Sequence, residues 1–248
     1  MSTENTNLTI DNDSSNPAPN IESAIAGDYD FTISEVLTES WKKTNGMKGP
    51  FWGAGVIVFI VAILTGIVLN GIAGVLDFNV SANSSNGNPN VLYNLLSQLI
   101  GTAVIYPFMA GIIMLGVRRS VDLPISVNEA FAYFAYVLPL VVAAILMSIL
   151  MTLGFILLVI PGIYLSVAYL FTVPLIVEKN MEAWQAMETS RKTVTRHWFK
   201  FFGLMIVMGV IVLVSALPFG IGLIWTYPML VIALGILYRD IFGVEQTE

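Results

Sequence analysis

The chain has 248 residues and a formal net charge of −6, with 56% hydrophobic residues and only 11% charged ones. A soluble domain carries about 25% charged residues, so this composition excludes a soluble globular protein and a disordered one alike. Four stretches, 49–76, 78–117, 130–177 and 201–238, hold no Asp, Glu, Lys or Arg; each exceeds the roughly 20 residues of a membrane-spanning helix, and none shows the apolar–polar alternation of barrel strands.

The acidity is local. Residues 1–30 carry Glu4, Asp11, Asp13, Glu22, Asp28 and Asp30 and no base, while the other 218 residues hold 11 acids and 11 bases. This segment is rich in Asn, Ser and Thr and is predicted to be a disordered acidic tail. It has neither a basic n-region nor an apolar h-region, so a cleaved signal peptide is not expected. There is no basic surface for nucleic acid beyond short juxtamembrane runs. The absence of cysteine excludes disulfides, thiol catalysis and cysteine-based metal sites.

A first helix start is expected at Thr32–Glu35, a hydroxyl followed three residues later by a carboxylate, which is the pattern of a capping box. The first span follows at about 51–76, then a polar loop, 77–90, and a second span at about 91–117 that stops at Arg118 and Arg119. A second capping box is expected at Ser126–Glu129. The long stretch 130–177 divides at Pro161-Gly162 into spans at about 137–159 and 160–177. Glu182–Gln185 is a weaker helix start, and the last stretch divides at Pro218 into spans at about 198–217 and 219–238. The fold class is therefore all-α: six membrane spans with three interfacial amphipathic helices at 32–42, 126–136 and 182–196. The membrane domain covers 31–242, followed by a short C-terminus, 243–248.

Lysine and arginine set the orientation. Lys42, Lys43 and Lys48 precede span one. Arg118 and Arg119 follow span two, and Lys179, Arg191, Lys192, Arg196 and Lys200 lie between spans four and five. Arg239 closes span six. With six spans all 11 bases fall on one side, so both termini are expected in the cytoplasm.

The three helix starts also align as a repeat. Ile33, Val36, Leu37 and Trp41 correspond to Val127, Ala130, Phe131 and Phe134, and to Ala183, Ala186, Met187 and Val194. Each unit then gives two spans, the second carrying a proline: Pro107, Pro174 and Pro228. Three parallel copies of a helix-plus-hairpin module are predicted, with the three prolines at equivalent depths.

The third unit has the most distinctive order of residues: Ile160-Pro-Gly-Ile163, Val173-Pro-Leu-Ile-Val177, Glu182-Ala-Trp-Gln-Ala-Met-Glu-Thr-Ser190 and His197-Trp-Phe-Lys200. This resembles uncharacterised bacterial six-span inner-membrane proteins related to the membrane domain of glycerophosphodiester phosphodiesterases. Pro161, Gly162, Pro174, Ala186, Ser190, Arg191 and Trp198 fill the places of that pattern over about 31–240. The resemblance implies a multi-pass protein of the bacterial inner (cytoplasmic) membrane. The catalytic barrel of the fused relatives is not in this chain, so the resemblance carries no activity over.

Chemistry is sparse. The single histidine, His197, sits beside Trp198 and reads as an interfacial anchor, and no HExxH, GxSxG or P-loop pattern occurs. No ionisable residue is expected inside a span, which argues against proton or ion coupling. An enzyme, a cofactor and a metal are not expected. Two groups of residues remain. Arg191, Lys192, Arg196 and Lys200 form a basic run that could meet lipid headgroups. Proline frees the carbonyl four residues earlier, so Tyr106 and Pro107, Thr172 and Pro174, and Thr226, Tyr227 and Pro228 are candidate intramembrane polar or kink positions. The function expected is non-enzymatic organising, sensing or scaffolding in the membrane, with membrane lipids and other membrane proteins as partners. The alternative is a passive carrier or channel for a lipid or small apolar solute.

Overall fold

A computed structural model describes residues 19–75 and 91–245. Among these the chain is all-helical: α1 (Ile21–Ala26), α2 (Ile33–Lys43), α3 (Lys48–Val75), α4 (Val91–Ser120), two 3₁₀ turns (Val127–Phe131 and Phe134–Tyr136), α5 (Val137–Leu157), α6 (Val159–Ala168), α7 (Thr172–Glu178), α8 (Ala183–Arg196), α9 (Trp198–Ala216) and α10 (Leu223–Phe242). Six helical stretches are long and apolar enough to cross a membrane, with α6 and α7 together forming the fourth.

The spans divide into inner and outer. In their most apolar windows α4, α6–α7 and α10 are 50%, 44% and 56% buried, whereas α3, α5 and α9 are 6%, 22% and 11% buried. Each hairpin therefore puts its first helix at the rim and its second at the centre. The tightest central contact is between α4 and α10. A Cβ built on Gly235 would lie 2.2 Å from the Gly116 carbonyl oxygen, and one on Gly116 would lie 2.2 Å from that of Val231. Glycine alone lets the two backbones meet. Toward the end that carries the bases, Phe171, Tyr238, Phe242 and Phe201 fill the core, with Phe171 within 5.4–6.3 Å of the other three rings.

Several local expectations are corrected. The acidic segment 1–30 is ordered in its described part: Asn20 and Ser23 form a reciprocal capping box, and Gly27, at φ 88°, ends α1. Ala24 is fully buried, so this short helix has the apolar anchor that composition averaged away; residues 1–18 and the polar loop 77–90 lie outside the described residues. The capping boxes expected at Thr32 and Ser126 make no side-chain cap hydrogen bond, and Glu182 makes none at the start of α8. Glu129 instead faces Arg118 at 3.7 Å.

The segment 126–136 forms two 3₁₀ turns rather than one amphipathic α-helix. A 3₁₀ turn eclipses residues three apart. Phe131 and Phe134 thereby share a side and both stand edge-on to Phe108, at 5.3 and 4.9 Å. The break after α5 falls at Leu158, not at Pro161-Gly162. Pro161 lies in the first turn of α6, where a missing N–H costs nothing, and Gly162 presses on the Phe155 ring.

The fourth span is interrupted at Tyr169–Phe171. Ser190 of α8 holds that break: its hydroxyl donates to the Ala168 carbonyl at 2.7 Å and accepts from the Phe171 N–H at 3.1 Å. Pro174 consequently sits in the first turn of α7, four residues before that helix ends, whereas Pro107 and Pro228 lie inside α4 and α10, each eleven residues ahead of an arginine, Arg118 and Arg239. The three prolines thus differ in their places along their helices.

Candidate functional site

The basic end is a network of paired charges. Arg239 donates to both oxygens of Glu39, at 2.7 and 3.1 Å, to the Ser120 carbonyl at 2.7 Å and to Asp240 at 2.8 Å. Lys43 donates to Asp122 at 2.6 Å, and Arg119 donates to the carbonyls of Lys43 and Asn45. Glu178, nearly buried, accepts from the Tyr238 hydroxyl at 2.6 Å and from the Glu245 N–H at 2.7 Å, with Lys179 at 3.3 Å. Hydrogen bonding from Arg239 holds the Glu39 carboxyl below the usual carboxylate range, and Lys43 does the same to Asp122.

The four cations of the basic run all have partners within the chain, although Lys192, Arg196 and Lys200 remain exposed. Arg191 makes two 2.8 Å hydrogen bonds to Glu188, and Lys192 lies 3.4 Å from the same carboxylate. The Arg191 fork keeps Glu188 below its ordinary pKa. Arg196 donates to the Ile25 carbonyl at 3.1 Å, and Lys200 is paired with Asp30. His197 meets the Gly27 carbonyl at 3.2 Å and the Tyr29 ring edge-on at 4.8 Å. The Tyr29 hydroxyl donates to the Thr193 carbonyl at 2.8 Å, and burial pushes its pKa up. Half of the basic run therefore clasps the segment 20–31 onto α8 and α9. Asp30, the last acid of that segment, was the one sequence signal of an internal partner for the basic run, while the Ile25 carbonyl that holds Arg196 leaves no mark in the sequence.

The proline positions separate. Pro107, Pro174 and Pro228 are all buried. Pro228 leaves the carbonyl of Ile224 without its helical donor, and the indole N–H of Trp52 takes that place at 3.1 Å. Thr226 and Tyr227 do not: Thr226 donates to the Gly222 carbonyl at 3.3 Å, and Tyr227 is an exposed ring set edge-on to Trp52 at 6.5 Å. Thr172 is fully buried and its hydroxyl has no partner among the described residues. The partner of the Ile224 carbonyl lies 172 residues away in sequence, beyond the reach of local pattern.

Tyr106 belongs to a different feature, a groove of about 530 Å³ between α3 and α4. It runs from Asn70, Asn94 and Gln98 past Ser97 and Thr102 to Tyr106, and its lining residues carry no formal charge. Asn70 Nδ2 donates to the Gly66 carbonyl, Ser97 to that of Asn94 and Thr102 to that of Gln98, at 2.8–3.0 Å. Asn94 and Gln98 are exposed, and among the described residues their side-chain amides make no hydrogen bond within the protein. Sequence reasoning missed this site, although its Asn, Gln, Ser and Thr residues recur every three or four positions on α4, which places them on one helical face.

Among the described residues no three His, Asp or Glu side chains form a group able to hold a metal ion. No protein-family model, curated protein or solved structure matches the chain.

Proposed function

We propose that this is a non-enzymatic, multi-pass protein of a bacterial cytoplasmic membrane that binds and organises membrane components at its side instead of conducting a solute through its centre. In this reading the basic end faces the cytoplasm, as the distribution of lysine and arginine requires, and the three helix-plus-hairpin units are copies of one module. The inner placement of each unit's second span supports that repeat. Kinship with the six-span relatives of the glycerophosphodiester phosphodiesterase membrane domain stays a proposal drawn from the residue pattern. Pro161, Gly162 and Ser190 of that pattern serve helix geometry here, in keeping with a structural role.

The observation that carries the reading is the contact of Gly116 with Gly235. The central proline-bearing helices α4 and α10 meet backbone to backbone there, which supports a closely packed centre. The polar surface in the spans lies instead at the rim, between α3 and α4.

The rival, a passive carrier or channel, draws on the same rim groove. Purified protein reconstituted in liposomes decides between them. Fluorescent-lipid quenching and small-solute release should match protein-free vesicles. Transbilayer movement that scales with protein content would establish the carrier instead.

A further inference from the structure

The geometry points to the α3–α4 groove as a binding site for the neutral, hydroxyl-rich headgroup of a membrane lipid, such as a hexosyl diacylglycerol. This deepens the proposal that the protein binds membrane components at its side, and rests on it.

The depth of the groove suits a headgroup. At 1.5 Å per residue, Gln98 stands about 30 Å from Arg118 along α4, and Tyr106 about 18 Å. The hydrocarbon core is about 30 Å thick. With Arg118 at the basic interface, Gln98 and Asn94 reach the opposite headgroup zone, while Tyr106 lies about 12 Å inside. The groove thus lies at the leaflet opposite the basic end and extends inward to Tyr106, which suits a lipid with its head at Asn94 and its chains along α3. Gly66 of α3 and Gly101 of α4 leave that space open: among the described residues, a Cβ built on either meets no atom within 4 Å beyond its own helix backbone. A volume of about 530 Å³ falls in the range of small-molecule sites.

The chemistry of the lining narrows the class. The hydroxyl hydrogens of Ser97 and Thr102 are spent on their own helix, so these side chains present acceptor lone pairs, and Asn70 keeps its carbonyl oxygen and one N–H. The unpartnered amides of Asn94 and Gln98 present both donors and acceptors. A ligand that fits this set must itself donate and accept, as hydroxyl groups do. A phosphate offers acceptors only and needs a cation, and the lining supplies none. A cationic headgroup needs a carboxylate, which is equally missing from the lining. Two tyrosines, Tyr93 and Tyr106, add the aromatic surface on which the apolar face of a sugar ring rests.

The test uses the full chain in phosphatidylcholine nanodiscs doped with either a monohexosyl diacylglycerol or phosphatidic acid, read by native mass spectrometry. The wild type should retain the hexosyl lipid about 25-fold over phosphatidic acid, since the two amides contribute one hydrogen bond each and each bond about a factor of five. Asn94→Leu with Gln98→Leu should abolish the preference while the protein stays folded, because leucine suits a lipid-facing helix better than an amide. Leu213→Ala, on the exposed face of α9, should keep it. Equal retention of the two lipids by the wild type overturns the site, as does a preference that survives the double variant. A free methyl hexoside that competes as well as the lipid would overturn the lipid source, and a dimer mass lost in the double variant in place of the lipid would assign the groove to a second copy of the chain. Transbilayer flux of the hexosyl lipid would overturn the organising role alone and leave the site standing, so the two failures are distinguishable.

Discussion

The indole N–H of Trp52 donates, at 3.1 Å, to the Ile224 carbonyl that Pro228 leaves without a helical donor. One helix thereby repairs the backbone of another. Trp52→Phe should lower stability in detergent by about 1–3 kcal/mol, the effect of stranding an acceptor in an apolar setting. The same change made in a Pro228→Ala background should cost less, because an alanine at that position supplies an N–H of its own. Thermal unfolding of the four proteins in this double-mutant cycle measures the difference. Equal losses in both backgrounds would falsify the repair.

The closeness of Gly116 and Gly235 yields a second expectation. Gly235→Ala places a methyl group 2.2 Å from the Gly116 oxygen, and α4 and α10 must separate. A loss of about 1–3 kcal/mol is expected. Gly209→Ala on α9 meets nothing within 4 Å and should be neutral or slightly stabilising through helix propensity. Urea or thermal denaturation of the pair checks the contrast.

The clasp formed by residues 20–31 makes truncation position-dependent. Removal of residues 2–18 should leave the melting temperature of the remaining body within a degree or two. Removal of residues 2–31 should lower it by several degrees, because the body loses the packing of the buried Ala24, Tyr29 and Phe31, and Arg196 and Lys200 lose partners. Tyr29→Phe alone should account for about 1 kcal/mol. Equal melting temperatures for the two truncations would refute the clasp.

The paired carboxylates predict acid sensitivity. Glu39, Asp30, Asp122 and Glu188 all titrate below their ordinary range through hydrogen bonds from Arg239, Lys200, Lys43 and Arg191. Groups depressed in the folded state stabilise it fully above the unfolded pKa and lose that contribution as pH falls through the folded value. Stability should therefore be flat near neutrality and decline once pH drops below about 4. Exposure and salt shrink the effect at Asp30, Asp122 and Glu188. Glu39→Gln should destabilise at about pH 7 and cost progressively less as pH falls below about 4; a constant difference across that range would place the effect outside the ion pair.

Orientation is open to direct chemistry, since the chain has no cysteine to remove. Gln185→Cys and Phe219→Cys place single thiols at exposed positions on the basic end and on the α9–α10 turn. In intact cells a membrane-impermeant maleimide should label only the second. Labelling of both, or of position 185 alone, would contradict a cytoplasmic basic end.

Much of the architecture was legible because membrane insertion leaves a strong mark on composition. Uncharged stretches locate the spans, and spacings of three and four locate α2 and α8. The segment 126–136 misled because its apolar positions fit a helix equally well, and only the position of Phe108 favours the tighter turn. Pro161-Gly162 misled because proline marks a helix's first turn as readily as its end. The break at Tyr169–Phe171 was invisible because Ser190, which stabilises it, is nineteen residues on from Phe171. The α3–α4 groove was overlooked for a related reason: its residues are uncharged, and attention to ionisable groups passes over amides and hydroxyls.

The attachment of the first span to the last bears on how the protein is made. Trp52 waits for Ile224, and Glu39 waits for Arg239, 200 residues later. During synthesis neither contact can form until α10 leaves the ribosome and enters the bilayer, and Glu39 has only Lys43 of its own helix nearby, so the earlier hairpins can insert but cannot lock. A chain that stalls before residue 223 would present an open bundle with Glu39 lacking its arginine and a bare glycine face on α4, features by which a membrane protease could tell an unfinished molecule from a complete one.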